Sequence, residues 1–173
     1  VGDETVYISP EGTDVALTAY HVDRSKLFVK ERFGTGIMQD TTRQLDADLI
    51  ASYIEMTRFP SPAGEMYKET KSYGGLVRAA DFIGQLGDPD YLRKTPALFY
   101  EFHELGINEK LGYKSPNDMR KNYASFYWNS VDDYIRDALV YLRLTESGKQ
   151  WIANMHSHVF DSEHGADEST SGD

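Results

Sequence analysis

The run Leu76-Val77-Arg78-Ala79-Ala80-Asp81-Phe82-Ile83 sets one aspartate in a stretch that is apolar at nearly every other position. Helical spacing turns such a stretch toward the centre of a bundle. A carboxylate there costs several kcal/mol in desolvation unless it is paired, hydrogen-bonded or bound to a metal. Two kinds of compensation fit the pattern equally well: an ion pair with Arg78 one turn earlier, or service as a metal ligand.

Other side chains could do chemistry. His21 stands at the junction between an irregular lead and the first helix, where a cap, a surface position and a ligand are all open to it. Arg58, in Glu55-Met56-Thr57-Arg58-Phe59-Pro60, ends a helix, a place that suits either a favourable interaction with the helix C-terminus or phosphate binding. His156 and His158 are two apart, so on a helix they point in different directions. His103 reads as part of a solvated face. Phe126-Tyr127-Trp128 suits core packing better than base stacking. The sequence holds no glycine-rich phosphate loop, nucleophile elbow or Cys/His pair.

The elements that must position these residues follow from periodicity. Residues 1–19 read as an irregular lead, with Thr5–Ser9 as a short strand and Pro10-Glu11-Gly12 as a turn. Val22 to Phe33 has helical spacing and stops at Gly34 and Gly36. Leu45, Leu49, Ile50, Tyr53 and Ile54 make a stripe behind Asp46 and Asp48 and predict a helix ending near Arg58. Phe59 to Tyr73 reads as a polar loop. Gly75 to Leu86 is the central helix. Asp88-Pro89 restarts a helix that kinks at Pro96 and runs to Gly106, and Ser115-Pro116 repeats the capping signal. Tyr123 to Leu144 is a long helix or a helix pair, and Thr145 caps the last helix, through Val159. Residues 162–173, acidic and without a large apolar side chain, read as a disordered tail. The expectation is an all-α fold: a single domain over 1–161, a bundle of about six helices with an irregular N-terminal lead.

Composition bounds the function. A net charge of −10 and a pI near 4.9 argue against binding a phosphate backbone, which needs a basic face. The absence of cysteine removes disulfides, zinc ribbons and thiolate catalysis, leaving histidine and carboxylate as the strong metal ligands. No apolar run approaches the ~20 residues of a membrane span, and Val1-Gly2-Asp3-Glu4 lacks the features of a signal peptide, so the expected compartment is the cytoplasm, with no membrane partner. A start without methionine fits either its removal or a longer parent chain.

Leu76 to Leu92, with Gly84-Gln85-Leu86-Gly87-Asp88-Pro89-Asp90-Tyr91-Leu92 continuing the Ala-Asp run and Phe99-Tyr100-Glu101-Phe102 following, resembles the C-terminal half of HD-superfamily metal-dependent phosphohydrolases. Tyr20-His21-Val22-Asp23-Arg24-Ser25 is similar to a His-acid-x-Arg-Ser stretch of that family, so the resemblance spans roughly residues 20–160. It implies an HD-like helical bundle, hydrolysis of a phosphoester in a small phosphorylated or nucleotide substrate, and a divalent metal (Mn, Mg, Fe or Zn) that activates water. By position Asp81 matches the final metal-ligating aspartate and His21 an accessory histidine, while Arg58 and Gln85 fall where substrate contacts would lie. The His-Asp dipeptide of the family is absent, which leaves the ligand set incomplete in this chain. Three accounts fit: a fragment of a longer enzyme, a truncated relative that completes its site by oligomerising, or a scaffold without catalysis. The alternative class is a non-catalytic interaction or small-ligand-binding module that forms homo-oligomers through packing faces left uncovered.

Overall fold

The computed structural model describes residues 14–34 and 45–165 and is all-helical there. The strand expected at Thr5–Ser9, the turn at Pro10-Glu11-Gly12, Gly36 and the acidic end beyond residue 165 lie outside the described residues. Asp14–Tyr20, assigned above mostly to an irregular lead, is a 3-10 helix leading directly into α1, His21–Gly34. Helix α2, Ala47–Glu55, starts where Asp46 Oδ1 accepts the Leu49 N–H at 2.9 Å. It stops one turn earlier than Arg58, the chain turning through hydrogen bonds from the Thr57 and Arg58 N–H groups to Ile54 and Glu55.

The central helix is α3, Tyr73–Leu86, capped by Ser72. Its residues Ala79, Phe82, Ile83 and Leu86 form one core with Tyr123 and Ala124 of α7 (Tyr123–Phe126), Tyr127 and Val131 of a π-turn (Tyr127–Val131), Ile135, Ala138 and Leu139 of α8 (Asp132–Leu142), and Met155 and Val159 of α9 (Glu146–His164). The run from Tyr123 to Leu142 is therefore a single helical path interrupted by the π-turn. On one side of this core α2 packs against α3 and carries α1; on the other, α4 (Tyr91–Glu104) packs with α5 (Ile107–Leu111) and α6 (Pro116–Lys121). Short helices such as α5 and α6 make the helices more numerous than the six expected.

Several sequence signals act as read. Gly106, with φ 66°, takes the left-handed conformation that ends α4, which contains Pro96 without stopping there. Ser115 caps α6 with Pro116 in its first turn, and Thr145 caps α9. The loop from Phe59 to Ser72 contains a 3-10 turn, Glu65–Lys68, and is tied down by Thr70, whose hydroxyl donates to Asp137 at 2.5 Å. Ser162 to His164, placed in the tail by composition, form the last turn of α9. The buried Ser162 hydroxyl lies 3.0 Å from the carbonyls of both Arg120 and Lys121 and accepts from the Ala124 N–H at 3.3 Å.

The end of α3 is held by α9. Its terminal carbonyls need partners, and Leu86 receives His158 Nδ1 at 3.0 Å while Gly87 receives Asn154 Nδ2 at 2.9 Å. His158 is buried and His156 exposed, as i, i+2 spacing requires.

Candidate functional site

The charge buried in α3 is Arg78, not Asp81. The buried arc of the helix runs through Gly74, Gly75, Arg78, Ala79, Phe82, Ile83 and Leu86, whereas Asp81 falls outside it and is exposed. The desolvation argued for Asp81 therefore applies to the arginine, which is 1% exposed. No ion pair joins the two.

Arg78 is compensated without a carboxylate. Its Nη1 donates to the Tyr67 carbonyl at 2.7 Å, and its guanidinium carbon lies 3.9 Å from the centroid of the Tyr134 ring. Phe82 stacks on the same Tyr134 ring, with centroids 6.1 Å apart and an interplanar angle of 7°. The Nε and Nη2 groups have no hydrogen-bond partner among the described residues. Burial pulls the guanidinium below the ordinary arginine range. Arg78 thus pins the loop carrying Tyr67 to the core, joining α3, α8 and that loop.

Asp81 stands about 60° around the helix from Arg78, at the edge of the side that the described residues leave exposed. Exposed Val77, Ala80 and Gly84 surround it on the helix, with Tyr73 one turn before Val77. At about 100° per residue, these positions occupy one continuous arc. Nothing lies within 4 Å of where a Cβ on Gly84 would stand. The Asp81 carboxylate accepts one hydrogen bond, from Gln85 Nε2 at 3.2 Å, and no ion pair among the described residues. α3 therefore presents an apolar strip of small residues with one carboxylate in it, next to Gln85.

His21 is exposed at the first residue of α1, where its Nδ1 donates to the Thr18 carbonyl. That bond leaves Nε2 as the nitrogen able to ligate, the arrangement by which a backbone carbonyl fixes a metal-binding imidazole. Asp81 and His21 are each chemically suited to a divalent metal. Yet the described residues contain no group of three histidine or carboxylate side chains that could hold one, so they do not by themselves fit a metal centre.

Arg58 sits in an ion cluster that the sequence did not suggest. Its Nε donates to Glu55 Oε1 at 2.5 Å and its Nη2 to Glu55 Oε2 at 2.9 Å and Asp23 Oδ1 at 2.7 Å. Lys26 adds a contact to Glu55 Oε2 at 2.6 Å, and the Tyr67 hydroxyl donates to Glu55 Oε1 at 3.1 Å. The cluster locks α1, α2 and the Tyr67 loop together. Glu55 and Arg58 are three residues apart, but Asp23, Lys26 and Tyr67 come from other elements, which no local pattern brings together.

Hydrogen bonding from Arg58 holds the Glu55 carboxyl at about 2, with Lys26 and Tyr67 acting in the same sense and burial opposing them. A carboxyl depressed by folding stabilises fully above its unfolded value near 4.5 and loses that contribution as pH falls toward 2. Glu55→Gln should therefore be less stable than the parent at neutral pH, with the difference narrowing below pH 4.5. Urea titrations across that range measure it; a pH-independent difference would mean that the charge on Glu55 is not what matters.

These features define an all-α protein built on a central helix with one face left exposed by the described residues. The model of the Npun_R2479-like family matches residues 1–165, and the chain belongs to that family. No curated protein and no solved structure matches it. Among the described residues no helix is long and apolar enough to cross a membrane.

Proposed function

We propose that the chain is an HD-like helical scaffold related to metal-dependent phosphohydrolases, and that the α3 strip around Asp81 is its working surface. The observation that carries the reading is the placement of Asp81: a carboxylate presented on the face of the central helix that the described residues leave exposed, engaged only by Gln85 among them. A purely structural aspartate would be expected to sit against Arg78, and it does not. On this reading Asp81 supplies one ligand to a divalent cation, Gln85 contacts the bound phosphorylated molecule, and the remaining ligands come from outside the described residues. His21, with Nε2 left for ligation, is the second donor from this chain. Arg58 is already engaged by Glu55 and Asp23, so its contribution to a substrate would require it to leave one of them.

The reading is tested by titrating the full chain with Mn²⁺ and following free metal by electron paramagnetic resonance. Binding is expected to weaken about tenfold or more in Asp81→Asn, as loss of a direct ligand should, with the thermal midpoint unchanged because Asp81 is exposed. Equal Mn²⁺ binding by parent and variant would sink the assignment, and so would no binding by either.

A further inference from the structure

We propose that Arg78 anchors a binding site for a small aromatic monocarboxylate, reached when the loop Phe59–Ser72 lifts off α3. A buried guanidinium is ordinarily neutralised by a carboxylate, yet Arg78, 1% exposed, has no ion pair among the described residues. Its one hydrogen bond leaves from Nη1, to the Tyr67 carbonyl at 2.7 Å. The Nε and Nη2 groups, which have no partner among the described residues, form the side-on edge of the guanidinium. That edge offers two parallel N–H donors, the geometry that a carboxylate accepts with both oxygens. Asp137, one turn along α8 from Tyr134, is engaged by the Thr70 hydroxyl instead.

The loop is the cover, and its attachments are few. No residue from Thr57 to Tyr73 is buried, so the segment adds little to the core and opens at low cost. Its polar fastenings are the Tyr67 carbonyl on Arg78, the Tyr67 hydroxyl on Glu55 and the Thr70 hydroxyl on Asp137. Its backbone rests on Gly75, three residues before Arg78, where a Cβ would stand 2.4 Å from the Glu69 carbonyl oxygen. With the loop closed, Ser61 Oγ is also buried without a hydrogen-bond partner, as are Arg78 Nε and Nη2. Each such atom carries a desolvation penalty that opening relieves. Under the loop lies an aromatic wall: Tyr134 against the guanidinium, Phe82 stacked on Tyr134, and Phe59 of the loop edge-on to Phe82 at 6.0 Å. A ligand that displaces Phe59 meets rings beside the guanidinium, which selects an aromatic body on the carboxylate. One guanidinium balances one negative charge, so a phosphate, with more than one near neutral pH, would leave the excess against that wall. The site is separate from the reading of Asp81 and needs no metal.

Isothermal titration calorimetry of the full chain with sodium benzoate tests it, against acetate, inorganic phosphate and chloride at matched ionic strength and without added metal. Benzoate is expected to bind at one site, about tenfold or more tighter than the other three. Arg78→Met should weaken benzoate binding by about tenfold or more. Asp137→Asn keeps the core and loosens the Thr70 fastening, so the open loop is more populated and benzoate should bind severalfold tighter. That outcome stands even if Arg78→Met does not fold. Saturating benzoate should also speed amide hydrogen exchange at residues 65–70 while leaving the α8 amides unchanged. A parent that takes up no benzoate in the millimolar range overturns the proposal. So does binding that survives Arg78→Met, an Asp137→Asn variant that binds no better than the parent, or phosphate or chloride binding as tightly as benzoate. Loop amides whose exchange benzoate slows or leaves unaltered would place the ligand elsewhere, which equally excludes the site.

Discussion

Arg78→Ala is expected to lower the free energy of unfolding by about 3–5 kcal/mol, the range for emptying a large buried position whose neighbours relied on it. Three losses add. The Tyr67 carbonyl loses the Nη1 hydrogen bond, and an unpartnered buried acceptor costs about 1–3 kcal/mol. The desolvated contact over the Tyr134 ring is worth up to about 2 kcal/mol. The remainder is the cavity. Arg78→Met separates charge from volume: it fills most of the space and removes Nε and Nη2, which have no partner among the described residues, so at least half of the loss should return. Urea unfolding followed by circular dichroism measures both. An alanine variant within about 1 kcal/mol of the parent would show that the loop around Tyr67 and the core do not depend on this side chain.

Gly148→Ala is the second large effect. Gly148 lies in the first turn of α9, where its N–H donates to the Thr145 cap at 3.0 Å. An added Cβ would stand 2.0 Å from the Leu142 carbonyl oxygen and 2.7 Å from that residue's carbonyl carbon and Cα. All three are backbone atoms at the end of α8, so relief requires moving one helix against the other. Overpacking of this kind costs about 1–3 kcal/mol or more, and we expect about 3 kcal/mol with a loss of cooperativity as α9 loosens from α3. Gly84→Ala is the contrast: the added methyl meets open space and should gain about 0.5–1 kcal/mol from helix propensity. If the two substitutions had similar thermal midpoints, the α8–α9 corner would have to be far more plastic than its geometry implies.

Local signals in the sequence carried the helical order well. Thr145, Ser115 and Asp46 cap helices because their side-chain oxygens reach N–H groups three residues on, a contact that needs no distant partner. The candidate site was read less well, and for an identifiable reason. Residue type drew attention to Asp81 as the charge to be explained inside, with Arg78 only as its possible partner, whereas helical phase puts Arg78 inside and Asp81 out. Ala79, Phe82, Ile83 and Leu86 already fix the buried arc, and Arg78 lies four residues before Phe82 and within that arc. Phase was the better guide. Tyr134 as Arg78's partner, and the Asp23–Lys26–Tyr67 surroundings of Glu55 and Arg58, depend on contacts between separate elements, and pairwise chemistry of that range is invisible in periodicity. The start of the tail was set too early because Ser162 looks polar, although its hydroxyl is consumed by backbone at the α6–α7 junction.

The π-turn acts as a phase corrector. Tyr123, Tyr127, Val131, Ile135 and Leu139 are all buried and recur every four residues. A regular α-helix advances about 100° per residue, so a strict fourfold repeat would drift about 40° at each step and carry Leu139 about 160° away from Tyr123. One additional residue accommodated in the π-turn takes back about 100° of that drift. The stripe can therefore face the same neighbours along its whole length. It follows that removing one residue between Tyr127 and Val131 lets the turn revert to regular α-helix with the phase of α8 kept, whereas inserting one more there, with no second π-turn to absorb it, would swing α8 by about 100° about its axis and carry Tyr134 away from Arg78 while leaving the composition of the core intact.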